Sequence, residues 1–201
     1  MANVQIPSTL MTRVAQGDHQ AFRELYDLTS KPVFSFILSM TKDPDLAEDI
    51  MQDTYVNVYR SAGIYKDSGN PMAWIMKISK NLFLMERRKT KHAVLSLSEQ
   101  DENTVSLSFD SISDVEVRMF LENLFSKVSE EERNIAVLHV MGGFKHREIA
   151  ELLDLPVGTV LSKYNRVMKK LNALAIAGET NGQKSKRING KGLFGTDTGL
   201  L

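Results

Sequence analysis

Residues 145–171 read KHREIAELLDLPVGTVLSKYNRVMKKL. Ile149, Leu152 and Leu153 fall at helical spacing, and Val157, Val160, Tyr164, Val167 and Leu171 do so again. Between the runs stands Asp154-Leu155-Pro156, and a proline disfavours helix at the residue before it. Two helices around a tight turn make a helix-turn-helix. Ala150 gives the first helix a small residue over which the second can cross closely. Opposite the second apolar run lie Thr159, Ser162, Lys163, Arg166, Lys169 and Lys170, in steps of three and four. All six donate hydrogen bonds and four are cationic. A recognition helix sets its N-terminal side chains against base edges and its flanks against phosphates. Thr159, Ser162, Lys163 and Arg166 are therefore the base-reading candidates, and Lys169, Lys170, Lys145 and Arg147 the phosphate candidates. A solvated basic face is the plainer reading of this helix alone; its neighbour and the turn favour DNA.

The rest of the chain must be reconciled with a formal net charge of zero over 201 residues. Charge is segregated. Residues 1–73 carry nine acids against six bases, and residues 74–92 one acid against six bases. Residues 93–132 hold ten acids and two bases, and residues 133–174 three acids and seven bases. Two basic islands flanking an acidic stretch point to nucleic-acid contact at two places. The apolar fraction of 42% supports a real core. With no cysteine, disulfides, thiolate-bound zinc and thiol nucleophiles are excluded. No apolar run is long enough to span a membrane, and the N-terminus lacks a secretory pattern. The expected setting is cytoplasmic.

Helical signals dominate. Gly17-Asp18 is a stop followed by an N-cap, opening a run with Phe22, Leu25, Tyr26, Val33, Phe36 and Ile37. Pro32 is expected to kink or divide it. Asp43-Pro44 restarts a helix whose inner face takes in Leu46, Ile50, Tyr55 or Thr54, Val58 and Tyr59. Residues 61–71 read as a loop. Pro71 opens a helix to about Lys89, with Trp74, Ile75, Ile78, Leu82 and Met85 as its apolar stripe. Residues 92–113 hold six serines without helical period, the natural domain boundary. A helix is expected from about Asp114, and Ser129-Glu130-Glu131-Glu132 matches a capping box opening another, which stops at Gly142-Gly143. The tail 178–201, with six glycines, reads as disordered. The expected fold is all-α: a helical domain over 1–91, a linker over 92–113, a helix-turn-helix domain over 114–177, and the tail.

The second basic island, WIMKISKNLFLMERRKTK (74–91), is also amphipathic. Lys77, Lys80, Asn81, Arg87, Arg88, Lys89 and Lys91 supply donors, and Trp74 and Phe83 supply ring faces. The polar loop before it carries Tyr65. Donors beside aromatics suit single-stranded or melted DNA, although Trp74 taken alone reads more readily as core.

Four stretches in this order resemble bacterial RNA polymerase sigma factors: GDHQAFRELYD (17–27), DPDLAEDIMQDTYVNVY (43–59), WIMKISKNLFLMERRK (74–89) and GTVLSKYNRVMKKL (158–171). The short two-domain form resembles the extracytoplasmic-function group, over roughly residues 10–174. The resemblance implies a factor that binds core RNA polymerase and directs promoter-specific initiation. It implies that Asp49, Gln52 and Asp53, with Glu48 beside them, dock on the coiled coil of the polymerase's largest subunit. Their own pattern shows only an acidic helix patch. It further implies that loop 62–70 and helix 71–89 open the minus-ten element, with Tyr65, Trp74, Lys77, Lys80, Asn81, Arg87 and Arg88 as contacts. The helix-turn-helix then reads the minus-thirty-five element, and the acidic linker threads through the polymerase. Promoter DNA and core polymerase are the implied partners, and an anti-sigma factor is compatible with the family. No cofactor, metal, small-molecule substrate or membrane insertion is implied. Leu161 and Lys163 stand where the family often has lysine and arginine, Met85 where aspartate is common, and Ser129 where proline is usual. Promoter preference is therefore expected to depart from that of relatives.

Two other classes compete. An enzyme finds little support: His19, His92, His139 and His146 are scattered, no phosphate-cradling glycine loop exists, and Asp49 with Asp53 lacks a supporting metal constellation. A stand-alone helix-turn-helix regulator needs a dimer seam or a ligand-domain pattern, and the N-terminal half shows neither.

Overall fold

The computed structural model describes residues 6–65, 70–94 and 128–181. Their elements are α1 (Ser8–Ala15), α2 (His19–Thr41), α3 (Pro44–Ser61), a 3-10 turn (Ala62–Ile64), α4 (Pro71–Val94), α5 (Glu130–Val140), α6 (His146–Leu153) and α7 (Val157–Asn181). None of these helices is long and apolar enough to cross a membrane. The linker beyond Val94, the helix expected near Asp114 and the tail beyond Asn181 lie outside the described residues.

Local chemistry sets the helix starts. Gly17 has φ +83°, which glycine adopts without the Cβ clash that other residues meet. Asp18 then caps α2 by accepting from the Gln20 and Ala21 amides at 2.9 and 3.0 Å. Asp43 caps α3 by accepting from Asp45 and Leu46, with Pro44 as first helical residue. Asn70 caps α4 by accepting from the Met72 amide. Ser129 and Glu132 form the expected reciprocal capping box of α5.

Two expectations hold only in part. Of kinking or dividing the first long run, Pro32 does not divide it: α2 continues from His19 to Thr41 with the proline inside. Thr29, Pro32, Val33, Phe36, Ile37 and Leu38 are buried around it, so tertiary packing offsets the hydrogen bond that proline cannot make. The fully buried stripe of α4 is Met72, Ile75, Met76, Ser79 and Phe83; of the expected stripe, Ile75 is buried, Trp74, Ile78 and Leu82 pack against the core partly buried, and only Met85 is exposed, at 53%. Phe83, expected to offer its ring to DNA, is in the core. Smaller differences follow the same logic. Thr54 and Tyr55 are both buried on α3, while Tyr59 and Val157 are partly exposed. The loop after α3 begins with the 3-10 turn, and α4 continues past Lys89 to Val94.

The two halves share one core. α5 packs along α2, and α4 meets α6. At the first seam Ser39 Oγ donates to Asn134 Oδ1 at 2.7 Å, and buried Arg133 donates to the Ser39 carbonyl at 3.3 Å and the Val128 carbonyl at 3.0 Å. Such polar contacts are stable inside because the Ser39 hydroxyl and the Arg133 Nε and Nη1 groups each meet an acceptor. The sequence pattern, read as two units on a linker, contains no sign of this seam.

Candidate nucleic-acid interface

The helix-turn-helix is built as expected. α6 ends at Asp154, which takes the left-handed conformation at φ 57°, tolerated by aspartate. The Leu155 amide turns back to the Ala150 carbonyl at 2.9 Å. Pro156 then opens α7, its carbonyl accepting from Thr159 and Val160. Ile149, Ala150 and Leu152 of α6 pack against Val160, Val167 and Leu171 of α7 within the shared core. This packing turns the candidate stripe outward. Ser162, Arg166 and Lys169 are exposed, and Thr159, Lys163 and Lys170 are half-buried. Lys145 and Arg147, at the start of α6, are also exposed. Ser162 Oγ donates to the Thr159 carbonyl at 3.0 Å.

Three cations of the stripe meet acids from the first turn of α5. Lys163 lies 2.6 Å from Glu131, Arg166 3.5 Å from Glu132, and Lys170 3.0 Å from Glu132. The Glu132 side chain is only 3% exposed. Burial acts to raise its carboxyl, but Lys170, the Ser129 amide and Arg166 together hold it below the usual carboxylate value. Behind the stripe, His139 and His146 stack at 4.8 Å, with the Tyr164 ring edge-on to both. Burial first, and the neighbouring His139 second, lower the His146 imidazole. No sequence motif marked this trio.

On the first domain, Lys77, Asn81, Arg87 and Arg88 stand exposed along the outer face of α4. Trp74 is half-buried, and its ring lies 5.1 Å from that of Tyr65 at the mouth of the loop before α4. The structure thus brings together the two aromatics chosen for base contact. Lys80 differs. Its ammonium donates to the Leu152 carbonyl and to Asp154 Oδ2, both at 2.7 Å, at the helix-turn-helix turn. The hydrogen bond and charge of Lys80 lower the Asp154 carboxyl. Asn70 reaches the same domain through Glu148 at 3.3 Å. In this arrangement Lys80 faces protein rather than solvent.

Glu48, Asp49, Gln52 and Asp53 are all exposed on α3. Asp49, Gln52 and Asp53 edge a cleft with Leu46 and with Glu86 of α4. Gln52 also borders a second groove, lined by Phe22, Tyr26, Met51, Tyr55, Val56 and Tyr59. Tyr26, Val56 and Tyr59 are more than a third exposed, and Phe22 meets Tyr59 edge-on at 5.1 Å. The Tyr55 hydroxyl is engaged with Thr29 Oγ1 at 2.7 Å, and burial pushes its phenol pKa up. This aromatic groove was missed at the sequence level. Its signal is the four-residue spacing of Phe22 with Tyr26 and of Tyr55 with Tyr59.

Comparison with known proteins gives a consistent picture. The Sigma-70 region 2 family matches residues 25–93, and the Sigma-70 region 4 family matches residues 119–171. The RNA polymerase sigma factor CarQ of Myxococcus xanthus is 27% identical over 164 residues, covering 82% of this chain and 94% of CarQ. The ECF RNA polymerase sigma factor SigM of Bacillus subtilis is 26% identical, covering 75% of this chain and 93% of SigM. Among solved structures, sigma factor RpoE from Bartonella quintana, in complex with the anti-sigma factor NepR, superposes with a TM-score of 0.64. It is 22% identical and covers 78% of this chain and 98% of RpoE. CnrH, in complex with the cytosolic domain of CnrY, gives 0.57 at 22% identity, covering 84% of this chain and 96% of CnrH. The two structures share the fold.

Proposed function

The chain belongs to the sigma-70 family of RNA polymerase sigma factors, in the extracytoplasmic-function group, and from that premise we propose how its surfaces divide the work. It binds core RNA polymerase and directs promoter-specific transcription initiation through two DNA-contacting domains. The first domain, over 1–91, docks on polymerase through Glu48, Asp49, Gln52 and Asp53. The aromatic groove beside Gln52 extends that surface. Tyr65 and Trp74 meet an unstacked base of the minus-ten element, while Lys77, Asn81, Arg87 and Arg88 hold the strand, joined by Lys80 once it leaves Leu152 and Asp154. The second domain, over 114–177, reads the minus-thirty-five element: Thr159, Ser162, Lys163 and Arg166 face bases, and Lys145, Arg147, Lys169 and Lys170 face phosphates. The linker 92–113 joins them. An anti-sigma factor is a further partner, as RpoE was solved with the anti-sigma factor NepR.

The observation that carries this reading is the outward row of donors on α7 directly after the left-handed Asp154 turn. It is supported by a second basic face on α4 and an acidic face on α3. Run-off transcription is the test. Specific transcripts should require both core polymerase and this chain. Specific duplex binding by the lone chain as a dimer would overturn the reading. Asp53→Ala should weaken core binding without changing helix content, and unchanged core affinity would remove the docking role. Arg166→Ala should weaken the upstream contact by about 1–3 kcal/mol on the matched sequence.

A further inference from the structure

The contacts around Glu132 reach beyond a helix cap. Its Oε2 accepts from the Ser129 amide at 3.2 Å, closing the capping box, and from Lys170 Nζ at 3.0 Å. Its Oε1 lies 3.5 Å from Arg166 Nη1. Arg166 and Lys170 stand one turn apart on α7, so they meet the same neighbour. One buried carboxylate on α5 therefore holds two cations of the stripe that faces DNA. We propose that Glu132 is a positioning residue for upstream-element reading: it fixes the roll of α7 and aims Arg166.

Three physical points support this role. First, a helix that presents side chains to base edges must be fixed in rotation about its own axis, because each residue step turns the face by about 100°. The apolar packing of Val160, Val167 and Leu171 sets that rotation coarsely, and a two-point ionic anchor restrains it further. Second, Arg166 remains 60% exposed while Nη1 faces Glu132. A guanidinium has five donors on a rigid plane, so anchoring one edge leaves the rest pointed outward as a fork. Third, the carboxylate offsets part of the positive charge of α7. That lowers the sequence-independent grip on phosphates and leaves a larger share of binding to base contacts. Glu131 acts similarly on Lys163, but its carboxylate is 55% exposed and meets one cation of the stripe rather than two, so it holds more loosely.

Because this role presupposes α7 as the upstream reader, the test includes a variant for that premise. Holoenzyme is assembled from core polymerase and four forms of the chain: unaltered, Glu132→Gln, Ser129→Ala and Arg166→Ala. Glutamine keeps the acceptor that caps α5 but loses the charge that holds Lys170 and Arg166. Ser129→Ala weakens the cap and leaves the ionic anchor in place. Equilibrium binding is measured on promoter duplexes, matched or altered one base pair at a time in the upstream element, over a salt series. Glu132→Gln should reduce discrimination at the base pair that depends on Arg166 by about threefold or more. It should also steepen the slope of log affinity against log salt by roughly 1, as freed cations reach phosphates. Ser129→Ala should lower the melting temperature and move neither quantity. The inference is overturned if Glu132→Gln lowers affinity equally on all sequences with an unchanged salt slope, or if Ser129→Ala reproduces its effects. If Arg166→Ala leaves discrimination intact, the assignment of α7 fails and the role of Glu132 with it. If Arg166→Ala removes discrimination and Glu132→Gln does not, only the role of Glu132 fails.

Discussion

Gly142 shows how a single hydrogen atom in place of a side chain shapes the turn between α5 and α6. A Cβ there would lie 2.6 Å from the Phe144 ring and 2.7 Å from the Leu138 carbonyl. Phe144 is fully buried and the carbonyl belongs to α5, so neither can give way cheaply. Gly142→Ala is expected to destabilise the protein by about 1–3 kcal/mol, the usual cost of overpacking, in urea denaturation. A variant as stable as the parent would mean that Phe144 can leave its pocket. At this scale much was legible. Asp18, Asp43 and Ser129 act as caps because the cap bond joins residues two or three positions apart, within reach of sequence pattern. The partners of Lys80 were not legible, since Asp154 lies 74 positions away. Nor was the pairing of Lys163, Arg166 and Lys170 with Glu131 and Glu132, which depends on the crossing of two helices.

Among elements, α4 is the instructive case. Its sequence carries two overlapping apolar stripes, one through Trp74, Ile75, Ile78, Leu82 and Met85 and one through Met72, Ile75, Met76, Ser79 and Phe83, with Ile75 in both. Helical period alone cannot choose between them; contact with α2 and α3 does. The existence of α4 was legible, and its roll was legible only in part: Ile75 is buried and Trp74, Ile78 and Leu82 flank the core, while Met85 turns outward. The opposite held for α7, where the cationic row left a single apolar alternative. Behind that row, the stacked His139 and His146 with Tyr164 make the α5–α6–α7 cluster sensitive to acid. The folded-state value of His146 is lowered, so below an ordinary histidine value of about 6.5 the unfolded chain binds more protons. Stability is then full above that pH and declines as pH falls towards the lower folded value. Melting between pH 7.5 and 5.5 should show a larger loss for the parent than for His146→Phe, which keeps a ring and cannot titrate. Equal losses would place the acid sensitivity elsewhere.

Over the whole molecule, closure dominates. The minus-ten and minus-thirty-five elements lie about 25 base pairs apart, roughly 85 Å of duplex. Here α4 and the turn of the helix-turn-helix touch through Lys80 and Asp154, and α2 and α5 share a buried seam. Under the proposed division of work, the two halves have to separate for both to engage such a promoter. Ser39 and Asn134 offer a direct check, because the chain has no cysteine of its own. A Ser39→Cys, Asn134→Cys variant, once oxidised, should migrate as a cross-linked monomer and lose promoter-directed transcription, and a reductant should restore it. Full activity of the cross-linked form would show that initiation proceeds from the closed arrangement. The sequence pattern implied two domains and a linker, which is the covalent organisation; the seam escaped it because Ser39 and Asn134 are ordinary polar residues whose pairing is purely spatial. That distance along the chain also has a kinetic meaning. Ser39 leaves the ribosome 95 residues before Asn134, about 5–20 s at ordinary rates of synthesis. For that interval the end of α2 has no α5 to cover it, so the nascent N-terminal half must hold its own against chaperones and neighbouring chains until translation supplies the missing wall.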